Sequence, residues 1–144
     1  NLKKNTSGSM IDVKARSYLR QINLDYAHGT GHGVGYFLNV HEGPHAISKN
    51  NTVHFQGGMV VSNEPGYYEK DNFGIRIENL IYVKKNCFDN LTMVPIDKDL
   101  IDKKILNSNE RNWLNDYHKK VFNTLKRFMN KNENIELEKA CSAI

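Results

Sequence analysis

The stretch His28-Gly-Thr-Gly-His32-Gly-Val-Gly-Tyr-Phe-Leu-Asn-Val-His41-Glu-Gly-Pro44 places three of the chain's six histidines within fourteen residues, spaced by glycines that can bring backbone close to a ligand. Two later carboxylates stand in settings just as distinctive: Glu64 in Asn63-Glu-Pro-Gly-Tyr-Tyr68 and Glu78 in Gly74-Ile-Arg-Ile-Glu-Asn79. A carboxylate at the end of a strand stopped by Pro-Gly is costly to bury unpaired and is stabilised by a cation. Glu78 reads as mid-strand among Ile75, Ile77, Leu80 and Ile81, where a bare carboxylate is worse placed still. Arg76, on the same face as Glu78, can hydrogen-bond a ligand carboxylate from outside. Singly, Glu78 reads equally well as an ion pair and His32 as a core histidine. Together they predict a hydrolytic metal site of His32, Glu64 and Glu78, because such groups seldom converge by chance. One imidazole with oxygen ligands suits Mn, Co or Zn better than a thiolate-loving ion.

Two other readings of the same stretch are weaker. His28 and His32 have the i, i+4 spacing of a zinc-binding helix, but the intervening Gly-Thr-Gly disfavours a helix and lacks the expected glutamate. The glycine run at 29, 31, 33 and 35 loosely suggests a nucleotide-binding loop, which wants a strand before it and a helix after it. Here that order is reversed.

Outward from the motif, residues 9–22 carry apolar side chains at a 3–4 spacing and predict an amphipathic helix capped by Ser7 or Ser9. Tyr36 to Val40 is expected as a strand, 45–58 as a loop, and 59–63 as a strand stopped by Pro65-Gly66. Phe73 to Lys84 is expected as one longer strand, with Ile75 and Ile77 on one face and Arg76, Glu78 and Leu80 on the other. A strand near 91–94 is expected to pair with it across a turn at 86–90. Beyond Ser108 the pattern turns helical, with Trp113, Leu114, Tyr117, Val121, Leu125 and Phe128 as an apolar stripe ending near Asn130, and a last short helix over 135–141. Domains are accordingly expected at 1–107 and 108–144.

A chain of 144 residues with net charge +4 is long enough for one domain. Residues 1–83 hold eight basic and seven acidic side chains, and 84–144 hold twelve and nine. The densest basic patch (Lys119, Lys120, Lys126, Arg127, Lys131) reads as a solvated face of one helix rather than a nucleic-acid footprint. No apolar run approaches the roughly 18–20 residues that span a bilayer, so neither nucleic acid nor membrane is expected as a partner. Cys87 and Cys141 are read as free thiols in a reducing compartment. His45, His54 and His118 are assigned to surface or packing, and Tyr67 and Tyr68 to pocket wall or core.

The blocks His28-Gly-Thr-Gly-His-Gly-Val-Gly35, Leu38-Asn-Val-His-Glu-Gly-Pro44, Gly58-Met-Val-Val-Ser-Asn-Glu-Pro-Gly-Tyr-Tyr68 and Gly74-Ile-Arg-Ile-Glu-Asn79 resemble the signatures of aminopeptidase P, the Xaa-Pro aminopeptidase of the pita-bread metallopeptidase family. The likeness starts near Ser7 and reaches Trp113-Leu-Asn-Asp-Tyr-His118, which is similar to the C-terminal helix of the eukaryotic cytosolic type. The resemblance implies an α+β chain, the C-terminal half of a pita-bread (creatinase/aminopeptidase) fold, with an antiparallel curved sheet and covering helices. It implies that His32 and Glu64 ligate one of two divalent ions, most readily Mn with Zn or Co as alternatives, and that Glu78 bridges both. His41 would bind substrate and assist catalysis, His28 would line the pocket for proline, and Arg76 would hold a ligand in place. The implied reaction is hydrolysis of the N-terminal Xaa-Pro bond of peptides with proline in second position, by a cytoplasmic homodimer. Prolidase activity and a non-catalytic pita-bread binding module are the alternatives. The family's two aspartate ligands have no counterpart here: Asp12 falls within the expected helix and Asp25 beside the motif. The remainder of the same protein is therefore expected as a partner supplying them, and the chain alone is expected to be inactive.

Overall fold

The chain folds as two units, Asn1–Thr92 and Met93–Ile144. The computed structural model describes residues 2, 3, 5–37 and 39–144. In the first unit, helix α1 (Gly8–Gln21) follows Ser7, which occupies the N-cap in an extended conformation. Its hydroxyl hydrogen-bonds Ser9 rather than capping the helix. The expected helix is thus present, but its inner face differs from expectation. Met10, Val13, Tyr18 and Ile22 are exposed, and the buried positions are Gly8, Asp12 and Arg16. An oppositely charged i, i+4 pair, not an apolar stripe, faces inward.

Strand β1 (Gly31–His32) pairs antiparallel with β2 (Ala46–Ile47). The loop expected over 45–58 therefore contains β2, and it also bridges α1's entry through Ser7 and His54. No strand forms at 36, 37, 39 and 40, and Leu38 lies outside the described residues. Tyr36 and Phe37 are exposed and lack a ladder partner, while the Gly35 N–H closes a tight loop onto the Asn39 carbonyl. At Gly31 and Gly33 the glycines serve close backbone packing: a Cβ would collide with the Ser62 carbonyl and the Glu42 carbonyl respectively.

Strands β3 (Val60–Asn63), β6 (Asn79–Lys84) and β7 (Cys87–Asn90) form one antiparallel sheet in the order β3-β6-β7. Strands β4 (Gly66–Glu69) and β5 (Phe73–Arg76) form a separate pair. The single strand expected over 73–84 is therefore two strands. Their registers nevertheless run on without a slip: Ser62 faces Leu80 and Asn63 faces Asn79 on one side of the break, and Gly66 faces Arg76 on the other. Pro65 falls opposite Ile77 at the interruption, and proline has no N–H to give to a ladder. The Glu64 N–H turns instead to the Thr30 carbonyl at 2.8 Å. The hairpin partner expected at 91–94 lies earlier, at Cys87–Asn90, because Lys85 takes a left-handed conformation (φ 52°) and tightens the turn. Tyr26, Ile47, Val61 and Val83 are the buried apolar side chains of this unit.

In the second unit, α2 (Ser108–Leu125) begins at Asn107, whose side chain accepts the Glu110 N–H while Glu110 caps back, a complete capping box. Leu114, Tyr117, His118 and Val121 line its buried face. Trp113 and Phe128 belong to the expected stripe but are exposed, and Trp113 stacks on Tyr117 at 5.7 Å. A 3-10 turn (Lys126–Phe128) ends this segment earlier than expected, and α3 (Lys131–Ala140) starts at a second capping box, Asn130 with Glu133. The basic residues expected on one helix are thereby divided among α2, the turn and α3. No described helix is long and apolar enough to cross a membrane. Cys87 and Cys141 are free thiols.

Candidate metal centre

Continuity of register through the Pro65 break sets Glu64 opposite Glu78. Extending the β3–β6 pairing by one position, from Asn63 and Asn79, brings the two carboxylates to the same face. Like charges directly opposite on an antiparallel pair repel. At under 5 Å, and with an effective dielectric constant between protein and water, the repulsion is on the order of 1–3 kcal/mol. His32, at the end of β1, completes the group: donor atoms of His32, Glu64 and Glu78 all lie within 4.8 Å of one another. Glu64 is buried, His32 half-buried and Glu78 exposed. The burial argument made from sequence therefore holds for Glu64 and fails for Glu78, which sits in the gap between β5 and β6 rather than mid-strand.

Glu64 and His32 are held from behind. The Ser62 hydroxyl donates to Glu64 Oε1 at 2.9 Å and accepts the His32 backbone N–H at 2.9 Å. Arg76 Nη1 lies 3.2 Å from Glu64 Oε2. His32 Nδ1 faces the Gly33 carbonyl at 3.0 Å, an acceptor only, so Nδ1 carries the proton. That leaves Nε2, 3.4 Å from Glu64 Oε1, to offer its lone pair. An imidazole lone pair and two carboxylates converging without a donor between them fit a divalent cation of the Mn, Co or Zn type.

Around this group stand the other expected site residues. His41 is exposed on the returning 34–43 loop, its ring 4.0 Å from that of His32. His28 Nε2 lies 2.9 Å from the Tyr68 hydroxyl, which in turn accepts from Arg76 Nε at 2.8 Å. The hydrogen bond to Tyr68 raises the Arg76 pKa, and the Glu64 and Glu78 charges add to it, so Arg76 is a fixed cation. A chain of contacts thus runs from His28 through Tyr68 and Arg76 to Glu64 and His32. His45 and His118 are buried in packing, with His45 Nε2 donating to the Val60 carbonyl and His118 Nε2 accepting the Ile96 N–H. His54 is exposed.

Ser62 is the contributor that sequence reasoning missed, and Tyr68, expected as pocket wall or core, is a hydrogen-bonding partner of His28 and Arg76. Ser62 lies two residues before Glu64 in a strand and so shares its face, a signal that was available. The reach of Tyr68 across to His28 was not.

Asp12 and Asp25 are accounted for elsewhere. Both bind Arg16, and neither belongs to the group around His32.

One histidine and two glutamates thus converge on antiparallel strands in an arrangement that could hold a divalent ion. The chain belongs to metallopeptidase family M24, whose profile matches residues 1–85, followed by the C-terminal region of peptidase M24 over residues 85–144. Its α+β architecture is that of the pita-bread fold. Xaa-Pro aminopeptidase 1 of Dictyostelium discoideum is 50% identical over 128 residues, covering 80% of this chain and 20% of its own length. X-prolyl aminopeptidase from Caenorhabditis elegans, described as a cytosolic enzyme with a di-nuclear active site, superposes with a TM-score of 0.85 at 39% identity, over 97% of this chain and 25% of that one. Prolidase from Thermococcus sibiricus superposes with a TM-score of 0.58 at 32% identity, over 64% of this chain and 25% of that one. The chain therefore spans about a fifth to a quarter of the length of these relatives.

Proposed function

We propose that the protein carrying this chain hydrolyses the N-terminal Xaa-Pro bond of peptides with proline in second position, using divalent ions held in part by His32, Glu64 and Glu78. The observation that carries the reading is the convergence of those three donors within 4.8 Å in a chain 50% identical to an Xaa-Pro aminopeptidase. A divalent ion held here would supply Lewis-acid chemistry toward a scissile carbonyl and toward water. In this reading His32 would hold a divalent ion through Nε2, and Glu64 and Glu78 would hold it through their carboxylates. Arg76 and Ser62 keep Glu64 in one orientation. His41, beside His32 at the open edge, hydrogen-bonds the substrate and moves a proton at its ring nitrogen. His28, fixed by Tyr68, lines the proline pocket.

Three donors leave a second ion short of ligands. Asp12 and Asp25 are bound to Arg16, so the remaining ligands come from elsewhere in the protein, and the 144-residue chain by itself is expected to turn over no peptide. Residues 1–107 belong on this view to the catalytic domain and 108–144 to a helical extension. Cytoplasmic residence and a homodimer are part of the same proposal. The cytosolic C. elegans neighbour supports the first, and the family resemblance supports the second. Mn is the ion favoured by the oxygen-rich donor set.

The test is metal analysis and peptide turnover by the full-length protein. Two divalent ions per catalytic domain, release of the first residue from Xaa-Pro peptides of three or more residues, and loss of both on Glu78→Ala are expected. Turnover of Xaa-Pro dipeptides alone would make it a prolidase. Purified protein with neither metal nor turnover would make it a binding module.

A further inference from the structure

Helix α1 carries its charge inward. Asp12 is 1% and Arg16 6% exposed. A buried ion pair is weak evidence for stability, since removing two charges from water costs several kcal/mol per ion and apolar replacements are often neutral or better. The pair calls for another role, and its hydrogen bonds point to one. Arg16 Nε reaches both Asp12 carboxylate oxygens at 2.9 Å. Nη1 reaches Asp25 Oδ1 and the Tyr26 carbonyl, each at 2.7 Å. Nη2 reaches the His28 carbonyl at 2.6 Å. The guanidinium also lies over the Tyr26 ring at 4.0 Å. Asp12 Oδ1 accepts the Thr30 hydroxyl at 2.6 Å, and the Thr30 hydroxyl meets the Tyr26 hydroxyl at 2.5 Å. One turn of α1 thus grips the 25–30 segment at alternate carbonyls and at three of its side chains.

We propose that Arg16 is the positioning residue of His28: its forked guanidinium fixes the backbone at Tyr26 and His28, and so the direction in which the imidazole leaves the loop. The His28 ring is then held at both nitrogens, Nδ1 against the Gly29 carbonyl at 2.7 Å and Nε2 against the Tyr68 hydroxyl at 2.9 Å. Those contacts tolerate little movement of the loop, and a displacement of about 1 Å near a reacting site can cost as much as 100-fold. Lysine cannot take this place. Its ammonium donates from a single point, whereas three separate nitrogens here serve three directions. The functional weight of this role rests on the proposed place of His28 in the proline pocket.

The test uses the full-length, metal-loaded protein and Arg16→Lys. Expected are a KM for Xaa-Pro peptides raised about tenfold with kcat within about threefold, the pattern of lost substrate binding, unchanged metal content, and displaced ring-nitrogen NMR signals of His28. Unmoved His28 signals in a folded Arg16→Lys protein would overturn the proposal. If that variant does not fold, Asp25→Ala loosens Nη1 from the solvent side, where the Asp25 side chain is 41% exposed. It must then shift the same His28 signals, and failure to do so refutes the role of Arg16. Should the wild-type protein turn over no Xaa-Pro peptide, the functional reading fails, and the His28 signals still decide for or against Arg16.

Discussion

Ser62→Ala removes a single oxygen that touches two of the three candidate donors. The hydroxyl is fully buried, donates to Glu64 Oε1 and accepts the His32 N–H, both at 2.9 Å. Its loss deletes a hydrogen bond to a carboxylate, about 1.5–3 kcal/mol, and leaves the His32 N–H without its partner. Removing a group that orients a metal ligand typically weakens the metal by about 10–100-fold, which is about 1.4–2.8 kcal/mol. The two magnitudes coincide, so most of the lost hydrogen-bond energy should appear as lost affinity. The assay is competitive titration of the full-length protein with Mn²⁺ or Zn²⁺ against a chelator. The control is Val61→Ala. Val61 is also fully buried but is the next residue along β3 and so points to the opposite face. That variant should lose about 1–3 kcal/mol of stability by cavity formation and leave affinity within about threefold. If Ser62→Ala binds metal as tightly as the wild type, or Val61→Ala weakens it equally, the hydroxyl does not orient the donors and the reasoning fails.

Two further expectations concern pH. Burial, then the Lys98 charge, hold His118 below its ordinary pKa of 6.5, so the folded state favours the neutral ring. The stability this contributes is complete above pH 6.5 and is lost as pH falls below it. The urea midpoint read by Trp113 fluorescence should drop from about pH 7.5 to about pH 5.5 in the wild type and stay flatter in His118→Gln, and equal slopes would contradict this. For Asp25, burial pushes the pKa up, but hydrogen bonds from Arg16, the Tyr26 N–H and Arg20 outweigh it and bring it from 3.8 to about 2. Its stabilisation is present above pH 3.8 and fades as pH falls toward 2, a window in which Asp25→Asn should show no such loss of amide protection over the 25–30 segment.

Much of this arrangement was legible in the chain because it follows from local periodicity. The α2 helix, β3, and the shared face of Arg76 and Glu78 all obey it, while for α1 it yields the helix but not the inward face. What was not legible depends on partners distant in sequence. The stretch from 73 to 84 reads as one strand because nothing within it signals a break. The cause is Pro65, a dozen residues upstream, which lies opposite Ile77. The inward face of α1 was hidden for a related reason. Asp12 and Arg16 look like solvent residues until the 25–30 segment supplies the acceptors that let them be buried. Tyr36 and Phe37 mislead in the opposite sense, since strand propensity without a neighbouring strand produces no strand.

Register is what brings the three groups together, and the break at Pro65 leaves it intact. Alternation along β3 turns the Glu64 N–H away from β6 and onto the Thr30 carbonyl, which draws β1 and His32 against the same end of β3. Register does the rest. A slip of one residue between β3 and β6 would turn Glu64 and Glu78 to opposite faces, and the hydrophobic burial of Val61 and Val83 opposes that slip. The core of the first unit thereby holds two carboxylates and an imidazole together, with the Arg76 guanidinium 3.2 Å from Glu64 Oε2 offsetting part of the carboxylates' repulsion. A divalent ion held by the same three groups would offset the remainder.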